Sequence, residues 1–239
     1  MKVKQNQKLH KNEAMKQYKY LDIAMVGFVI TLLLSNFAGN SKVTQIGSFT
    51  FTAGVILFPL SYLLGDILTE VYGYAKSRRV IWVGFGALIV SVILVQIMIC
   101  MPPAPGWHNQ KAFETIFNNA PRTVIASIFA FWAGEFVNSF TLAKMKIITS
   151  GKYLWTRTIG STVVGEAVDT CVFYPTAFIG VAGFSFHLIL SIMISTYILK
   201  VIWEVIATPA TYALVAYLKK KENEDYYDYK TDFNPFIIE

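Results

Sequence analysis

The chain alternates long apolar runs with short polar segments. Each apolar run is long enough to cross about 30 Å of hydrocarbon as a helix, and the six runs are Tyr20–Ala38, Phe49–Leu68, Val80–Met101, Thr123–Leu142, Thr158–Gly180 and Leu188–Leu218. The last run exceeds one span, and Pro209 within it predicts a kink or a division from an interfacial end. The polar segment 102–121 predicts an external loop with one short amphipathic helix. We therefore predict an all-α integral membrane protein with six transmembrane helices.

Composition supports the same class. Of the 239 residues, 54% are hydrophobic and only 15% are charged, and the mean hydropathy is +0.47, a balance that soluble domains of this length do not show. We divide the chain into a basic N-terminal arm at 1–19, a six-helix domain at 20–218 and a C-terminal tail at 219–239. The arm and the tail are too polar to enter the bilayer.

Positive charge is distributed unequally between alternate polar segments. Seventeen of the 21 Lys and Arg residues lie in the two termini and in the second and fourth loops, whereas Lys42, Lys111 and Arg122 lie on the opposite side. By the positive-inside rule, both termini are predicted to be cytoplasmic. This asymmetry explains the net charge of +6, so we do not predict nucleic-acid binding.

The fifth run carries two acids inside an otherwise apolar segment. Glu166 and Asp169 are three positions apart and therefore share one face of a helix, with Thr170 directly after them. A charge near the centre of a bilayer costs about 2.5–3.5 kcal/mol, so such acids usually face the interior of a bundle and mark a site or a pathway. We interpret this helix as the centre of a binding site.

A short motif recurs around the acids. Gly65-Asp66, Gly134-Glu135 and Gly165-Glu166 are each followed, three positions after the acid, by a polar residue, which is Asn138 in the second case. The first and third copies lie about 100 residues apart, which is compatible with two inverted three-helix repeats.

Lys200 in the sixth run requires a counter-ion. Its ammonium group is predicted near mid-bilayer, and the candidate partners are Glu204 in the same helix and Asp169 or Glu166 at matching depth. A purely structural ion pair and a role in ligand binding both remain open. For Asp66 and Glu70, a cytoplasmic lock with Arg78 and Arg79 is likewise an alternative to a functional role.

Four segments resemble one known family. GDILTEVYGYAKSRRVIW, GEFVNSFTLAKMK, GSTVVGEAVDTCVFYP and KVIWEVIATPATY are similar to the queuosine precursor transporter family, also called the vitamin uptake transporter family. The resemblance extends from about residue 20 to residue 219. It implies a six-helix protein of the bacterial inner membrane that imports 7-deazaguanine precursors of queuosine, preQ0 and preQ1, and it implies no enzymatic activity and no cofactor.

The resemblance also implies site residues. The positions that match the polar signature of the family are Asn36, Asp66, Thr69, Arg79, Asn138, Ser161, Asp169, Thr170 and Lys200. Together with neighbouring acids and with aromatic residues that could stack on a base, the predicted substrate-binding residues are Asn36, Asp66, Glu135, Asn138, Glu166, Asp169, Thr170, Lys200, Glu204, Trp132, Phe173 and Tyr174. No metal ligands are predicted.

Two other functions compete with this interpretation. The chain could be an uptake component for a vitamin or nucleobase that docks on a separate ATP-driven module, because it has no phosphate-binding Gly-rich loop of its own. A membrane-embedded hydrolase would need a catalytic signature, and none is evident. The predicted partners are a small-molecule 7-deazaguanine and the lipid bilayer, and a homo-oligomer is left open.

Overall fold

The computed structural model describes residues 17–39, 42–46, 49–117, 121–182 and 185–237. The described part contains seven α-helices and a two-stranded antiparallel hairpin of β1 (Val43–Ile46) and β2 (Phe49–Thr52). The helices are α1 (Leu21–Leu34, continued by a π-helical turn at Ser35–Gly39), α2 (Gly54–Tyr72), α3 (Tyr74–Cys100), α4 (Gln110–Phe117), α5 (Pro121–Ile148), α6 (Leu154–Phe178) and α7 (Phe186–Glu222). Most of the arm predicted at 1–19 lies outside the described residues.

Local sequence explains where several helices begin and end. Gly73 separates α2 from α3 with a φ of +84°, a conformation that residues with a Cβ rarely adopt. The α3 helix ends at Cys100, just before the pair Pro102-Pro103, which disfavours helix in the residue before it. At the start of α7, the side chain of Ser185 accepts a hydrogen bond from the backbone N–H of Leu188. The short amphipathic helix predicted within 102–121 is confirmed as α4.

The interior of the protein holds many polar side chains beside an apolar core, and its outer surface is rich in apolar side chains. Its buried residues include many that are charged or polar, among them Asp66, Glu70 and Arg157, whereas large apolar side chains such as Ile97 and Ile206 point outward and are about half or more exposed. Such a distribution suits a lipid environment, in which the interior rather than the surface collects polar groups. Within the part of the chain that the structure describes, three stretches are long and apolar enough to cross a membrane by length and composition: Tyr74–Cys100, Gln110–Ile148 and Phe186–Glu222. The count of six spans and the internal repeats remain predictions.

The longest helix differs from its prediction. The α7 helix runs without a break from Phe186 to Glu222, so Pro209 does not divide it, and the tail boundary predicted at 219 falls inside the helix. The chain leaves the helix at Asn223, which adopts the left-handed conformation with a φ of +49°.

The segment after α7 folds back onto the bundle. Arg78 donates hydrogen bonds to the backbone carbonyls of Asp232 and Asn234 at 2.8 and 2.7 Å, and the indole of Trp82 donates to the carbonyl of Pro235 at 2.8 Å. The tail therefore covers the end of the bundle at which the described chain begins and ends, where Tyr18 bonds to Glu224. Arg78 binds this tail rather than Asp66 or Glu70, which corrects the alternative of a lock between these acids and Arg78.

Glu70 instead has other cationic partners at this end. Its carboxylate, which is fully buried, accepts two hydrogen bonds from Arg157 at 2.8 and 3.1 Å and one from Lys219 at 2.7 Å. Lys146 Nζ lies 3.5 Å from the same carboxylate and 2.5 Å from Asp225 in the tail. Although burial opposes the charged form of Asp225, Lys146 and Lys219 lower its pKa below the usual range. This ionic network, formed by Glu70, Arg157, Lys146, Lys219 and Asp225, joins α2, α5, α6, α7 and the tail.

Two glycines allow α5 and α6 to cross closely. A Cβ atom added at Gly165 would lie 2.7 Å from the Cβ of Asn138 and 3.0 Å from the carbonyl oxygen of Gly134, and one added at Gly134 would lie 3.1 Å from the carbonyl oxygen of Gly165. Small residues at such crossings are what bring membrane helices together in the absence of a hydrophobic driving force.

We expect Gly165→Ala to lower the stability of the protein by about 1–3 kcal/mol, because the added methyl overpacks this crossing. Thermal unfolding in detergent measures the effect. Gly86→Ala is the matched control, since a Cβ there meets no atom within 4 Å. Equal unfolding temperatures for the two variants would contradict the close crossing.

We expect Glu70→Gln to destabilise the protein, although the substitution hardly changes the volume of the side chain. The substitution leaves Arg157 without a counter-charge in a buried position, a situation that costs about 3–5 kcal/mol. Membrane abundance and thermal unfolding check the loss, with Asp22→Asn, at an exposed position at the start of α1, as control. Wild-type stability in Glu70→Gln would show that the ionic network does not hold this end together.

Candidate functional site

A charged triad lies in the middle of the bundle. Lys200 on α7 places its Nζ 2.7 Å from Glu166 Oε2 and 2.7 Å from Asp169 Oδ2, both on α6. The two acids are buried, and the lysine side chain is 12% exposed. The prediction that Glu166 and Asp169 share a face is therefore confirmed, and of the three partners left open for Lys200 the structure selects these two rather than Glu204.

A second polar pair lies beside the triad. Asn138 on α5 donates from Nδ2 to Asp66 Oδ1 on α2 at 2.6 Å, and both residues are fully buried. The other carboxylate oxygen of Asp66 has no hydrogen-bond partner among the described residues. The pair thus joins α2 to α5 at the level of the triad and keeps one acceptor unused.

Two further acids are buried at this level without any partner. Neither oxygen of Glu135 on α5, nor either oxygen of Glu204 on α7, is hydrogen-bonded to a described residue, and their exposures are 0% and 1%. Glu135 lies against Gly65, where an added Cβ would come within 1.9 Å of its Oε1. The glycine of the Gly-acid motif on α2 therefore makes room for the acid of the motif on α5.

A cavity of about 370 Å³ lies toward the end of the bundle opposite the termini. It is bordered by the ends of α1 and α6, the starts of α5 and α7, and the middle of α3, and its walls are mostly apolar. Three predicted site residues line it: Asn36, Phe173 and Tyr174. The structure adds Ser127, whose hydroxyl donates to Asn36 Oδ1 at 2.7 Å, and Phe178. A lone serine and a lone phenylalanine in apolar runs carry no local signal, so the sequence could not have identified them.

Tyr174 connects the cavity to the triad. Its ring lines the cavity and its hydroxyl donates to Thr196 Oγ1 at 2.9 Å, and Thr196 lies one helical turn before Lys200 on α7. Along α6, Asp169 precedes Phe173 by one turn. The charged triad therefore lies below the cavity, on the side nearer the termini.

Other predicted site residues are not at the cavity. Trp132 packs against Trp82, Phe136 and Phe236 in an aromatic group that includes the tail, so the structure separates it from Phe173 and Tyr174. Arg79 is exposed at the end where the termini lie. The hydroxyl of Ser161 bonds within its own helix, whereas that of Thr69 lies 2.8 and 3.1 Å from the hydroxyls of Ser77 on α3 and Ser139 on α5 as well as bonding to Gly65 in α2. Thr170 is buried with no partner for its hydroxyl among the described residues.

The arrangement can recognise a small polar molecule with a flat apolar face. The cavity supplies two aromatic rings that meet edge to face, Phe173 and Tyr174, with centroids 5.1 Å apart. The triad below it supplies carboxylate acceptors and an ammonium donor. At the level of the triad, the chemistry of the site is hydrogen bonding and charge.

Comparison with known proteins agrees with this architecture. A family model described as "Putative vitamin uptake transporter" matches residues 52–214, which is more than half of the chain. A relative from Bacillus subtilis (strain 168), named "Probable queuosine precursor transporter", is 32% identical over 173 residues, which cover 72% of this chain and 75% of the relative. No solved structure matches. On the family match and this identity, the chain belongs to the vitamin uptake transporter family, a family of membrane transporters.

Proposed function

We propose that this protein imports 7-deazaguanine precursors of queuosine, 7-cyano-7-deazaguanine (preQ0) and 7-aminomethyl-7-deazaguanine (preQ1), across the bacterial inner membrane. The observation that carries the proposal is the triad of Lys200, Glu166 and Asp169 directly below a cavity with two aromatic walls. The resemblance to a protein named as a queuosine precursor transporter supplies the substrate class.

The hydrogen-bonding pattern of the base fits the triad. A 7-deazaguanine presents N1–H and an exocyclic amine along one edge, and a carboxylate can accept both in parallel, as it accepts two N–H groups from arginine. The adjacent O6 needs a donor, which the ammonium of Lys200 can provide. We assign Asp169 to the donor edge because it is the more exposed of the two acids and lies one turn from the cavity wall at Phe173.

The cavity fits the shape of the base. Because Phe173 and Tyr174 are 85° apart, one ring can stack on the flat face of a base while the other contacts its edge. The cavity volume of about 370 Å³ lies within the range of small-molecule sites, roughly 300–1,000 Å³. Since acids outnumber the lysine, the site also favours the cationic aminomethyl group of preQ1.

The orientation predicted from positive charge supports import. With both termini in the cytoplasm, the cavity faces outward, and the ionic network around Glu70 together with the tail closes the inward side. A site near the midplane that is closed on one side and open on the other is the arrangement that alternating access requires.

We expect preQ0 and preQ1 to raise the unfolding temperature of the purified protein. A ligand that binds only the folded state at 100 times its Kd stabilises that state by about 2.7 kcal/mol. Adenine is the control, because it lacks the 2-amino group and carries a donor where guanine has O6. Uptake by a host that lacks ATP-driven energising modules separates this transporter from a docking component. Absence of any shift with both precursors contradicts the proposal.

We expect Asp169→Asn to reduce uptake at least tenfold, because the new amide opposes a donor of the base and one lost hydrogen bond is worth about that factor. Lys200→Met should lower membrane abundance, since it leaves two adjacent acids buried without a cation. The double variant Lys200→Met/Asp169→Asn should recover abundance but not uptake.

The matched control for this series is Lys200→Met/Glu204→Gln. It changes the same number of ionisable side chains, but Glu204 accepts no hydrogen bond from Lys200, so Glu166 and Asp169 stay buried without a cation and abundance should stay low. Full uptake in Lys200→Met/Asp169→Asn would instead make Lys200 a structural counter-ion.

A further inference from the structure

Glu135 and Glu204 are buried acids that nothing in the described structure neutralises. Their four carboxylate oxygens have no hydrogen-bond partner among the described residues, although both side chains are almost completely inaccessible. An ionised carboxylate in such surroundings is far more costly than a neutral carboxyl group. In the arrangement seen here, both groups are therefore protonated.

The surroundings of Glu135 are acidic on two of the helices that pack against it. Within electrostatic range of Glu135 lie Asp66 and Tyr62 on α2 and Glu166 and Asp169 on α6. On the side of α3, Trp132 of the same helix packs against Trp82. The nearby cation, Lys200, is already bonded to the two α6 acids. Loss of the proton from Glu135 would thus add a negative charge with no new partner, so this proton is expected to stay.

The surroundings of Glu204 differ in one respect. Asp66 on α2 and Glu166 on α6 lie within electrostatic range of it. On its own helix, Lys200 lies four positions earlier, which is one turn away on the same face. If Glu204 loses its proton, Lys200 can turn from the triad toward it and form an ion pair. Glu204 therefore has two stable states, protonated with Lys200 in the triad, and ionised with Lys200 withdrawn.

We propose that Glu204 is a proton-binding site that couples substrate entry to the inward movement of a proton, with Lys200 as the group that responds to it. This inference rests on the proposed transport function. With Glu204 protonated, Lys200 stays in the triad. A bound base then donates N1–H to Asp169, and the lysine N–H that Asp169 had accepted turns to O6.

Release follows from the loss of the proton. When the site opens inward, Glu204 gives its proton to water and becomes a carboxylate, and the ammonium of Lys200, which keeps all its protons, moves toward it. The base loses its O6 donor and leaves. Proton and substrate thus bind together on one side and depart together on the other, so that an inward proton gradient drives accumulation.

The test is the pH dependence of preQ0 binding to the purified protein, followed by thermal shift or calorimetry. Because binding requires the protonated form of Glu204, the apparent Kd should rise by up to roughly tenfold per pH unit above the titration of this group. Proteoliposomes should also show proton entry when preQ0 is added outside.

Variants of Glu204 test whether this residue causes the pH dependence of preQ0 binding. In Glu204→Gln, which is permanently neutral, the Kd of preQ0 should no longer depend on pH and proton entry should disappear. Glu114→Gln, the same change on α4 outside the bundle core, should keep both. If Glu204→Gln does not fold, Glu204→Asp provides the test. The proposal requires the pH dependence of preQ0 binding in this variant to be shifted from that of the wild type.

The outcomes separate the two proposals. No preQ0 or preQ1 binding at any pH overturns the transport function itself. Binding with a constant Kd across acidic and alkaline buffers, or substrate movement without proton entry, leaves transport intact and overturns the coupling. A pH dependence that persists unchanged in Glu204→Gln, or an unchanged profile in Glu204→Asp, removes Glu204 as the proton site.

Discussion

The cost of burying charge away from water governs this structure. Ion pairing compensates this cost at two places in the bundle, and the ratio of charges is opposite at the two. Glu70 is one anion among three cations, whereas Lys200 is one cation between two acids. The Glu70 centre ties four helices to one point and the triad ties α6 to α7, because a charge left alone in this environment would destabilise the bundle. Apolar side chains lie both in the core, as Phe28, Leu68 and Phe131 do, and on the outer surface, and they cannot discriminate between one charged partner and another.

The two ends of the bundle differ in structure. Near the termini, the network around Glu70 is covered by the tail, whose backbone carbonyls are bound by Arg78 and Trp82. Toward the opposite end lies the cavity, with Tyr174 in its wall and Asp169 of the triad one helical turn before its wall residue Phe173 on α6. A charged centre between a sealed end and an open cavity is the physical basis of the transport cycle that we propose, and movement of Lys200 would change the charge of the centre without changing the fold.

The sequence by itself determined the elements and several local relations. Apolar run length and helical period predicted long helices, one short amphipathic helix between Cys100 and Pro121, and the common face of Glu166 and Asp169. The need of Lys200 for a carboxylate at its depth was also predictable. These features follow from residue spacing within one helix or from the cost of a lone buried charge. Residue spacing and charge cost do not depend on how the helices are arranged.

The tertiary structure alone decided which residues meet. Glu70 forms ion pairs with Arg157 and Lys219, which are distant in sequence, and not with Arg78, which is near in sequence. Lys200 forms ion pairs with the two acids of α6 and not with Glu204 on its own helix. It also separated Trp132 from the cavity and attached the tail to the bundle. The physical reason is that the rotation and crossing of packed helices, set here by close contacts at Gly134 and Gly165, fix side-chain partners that no local period encodes.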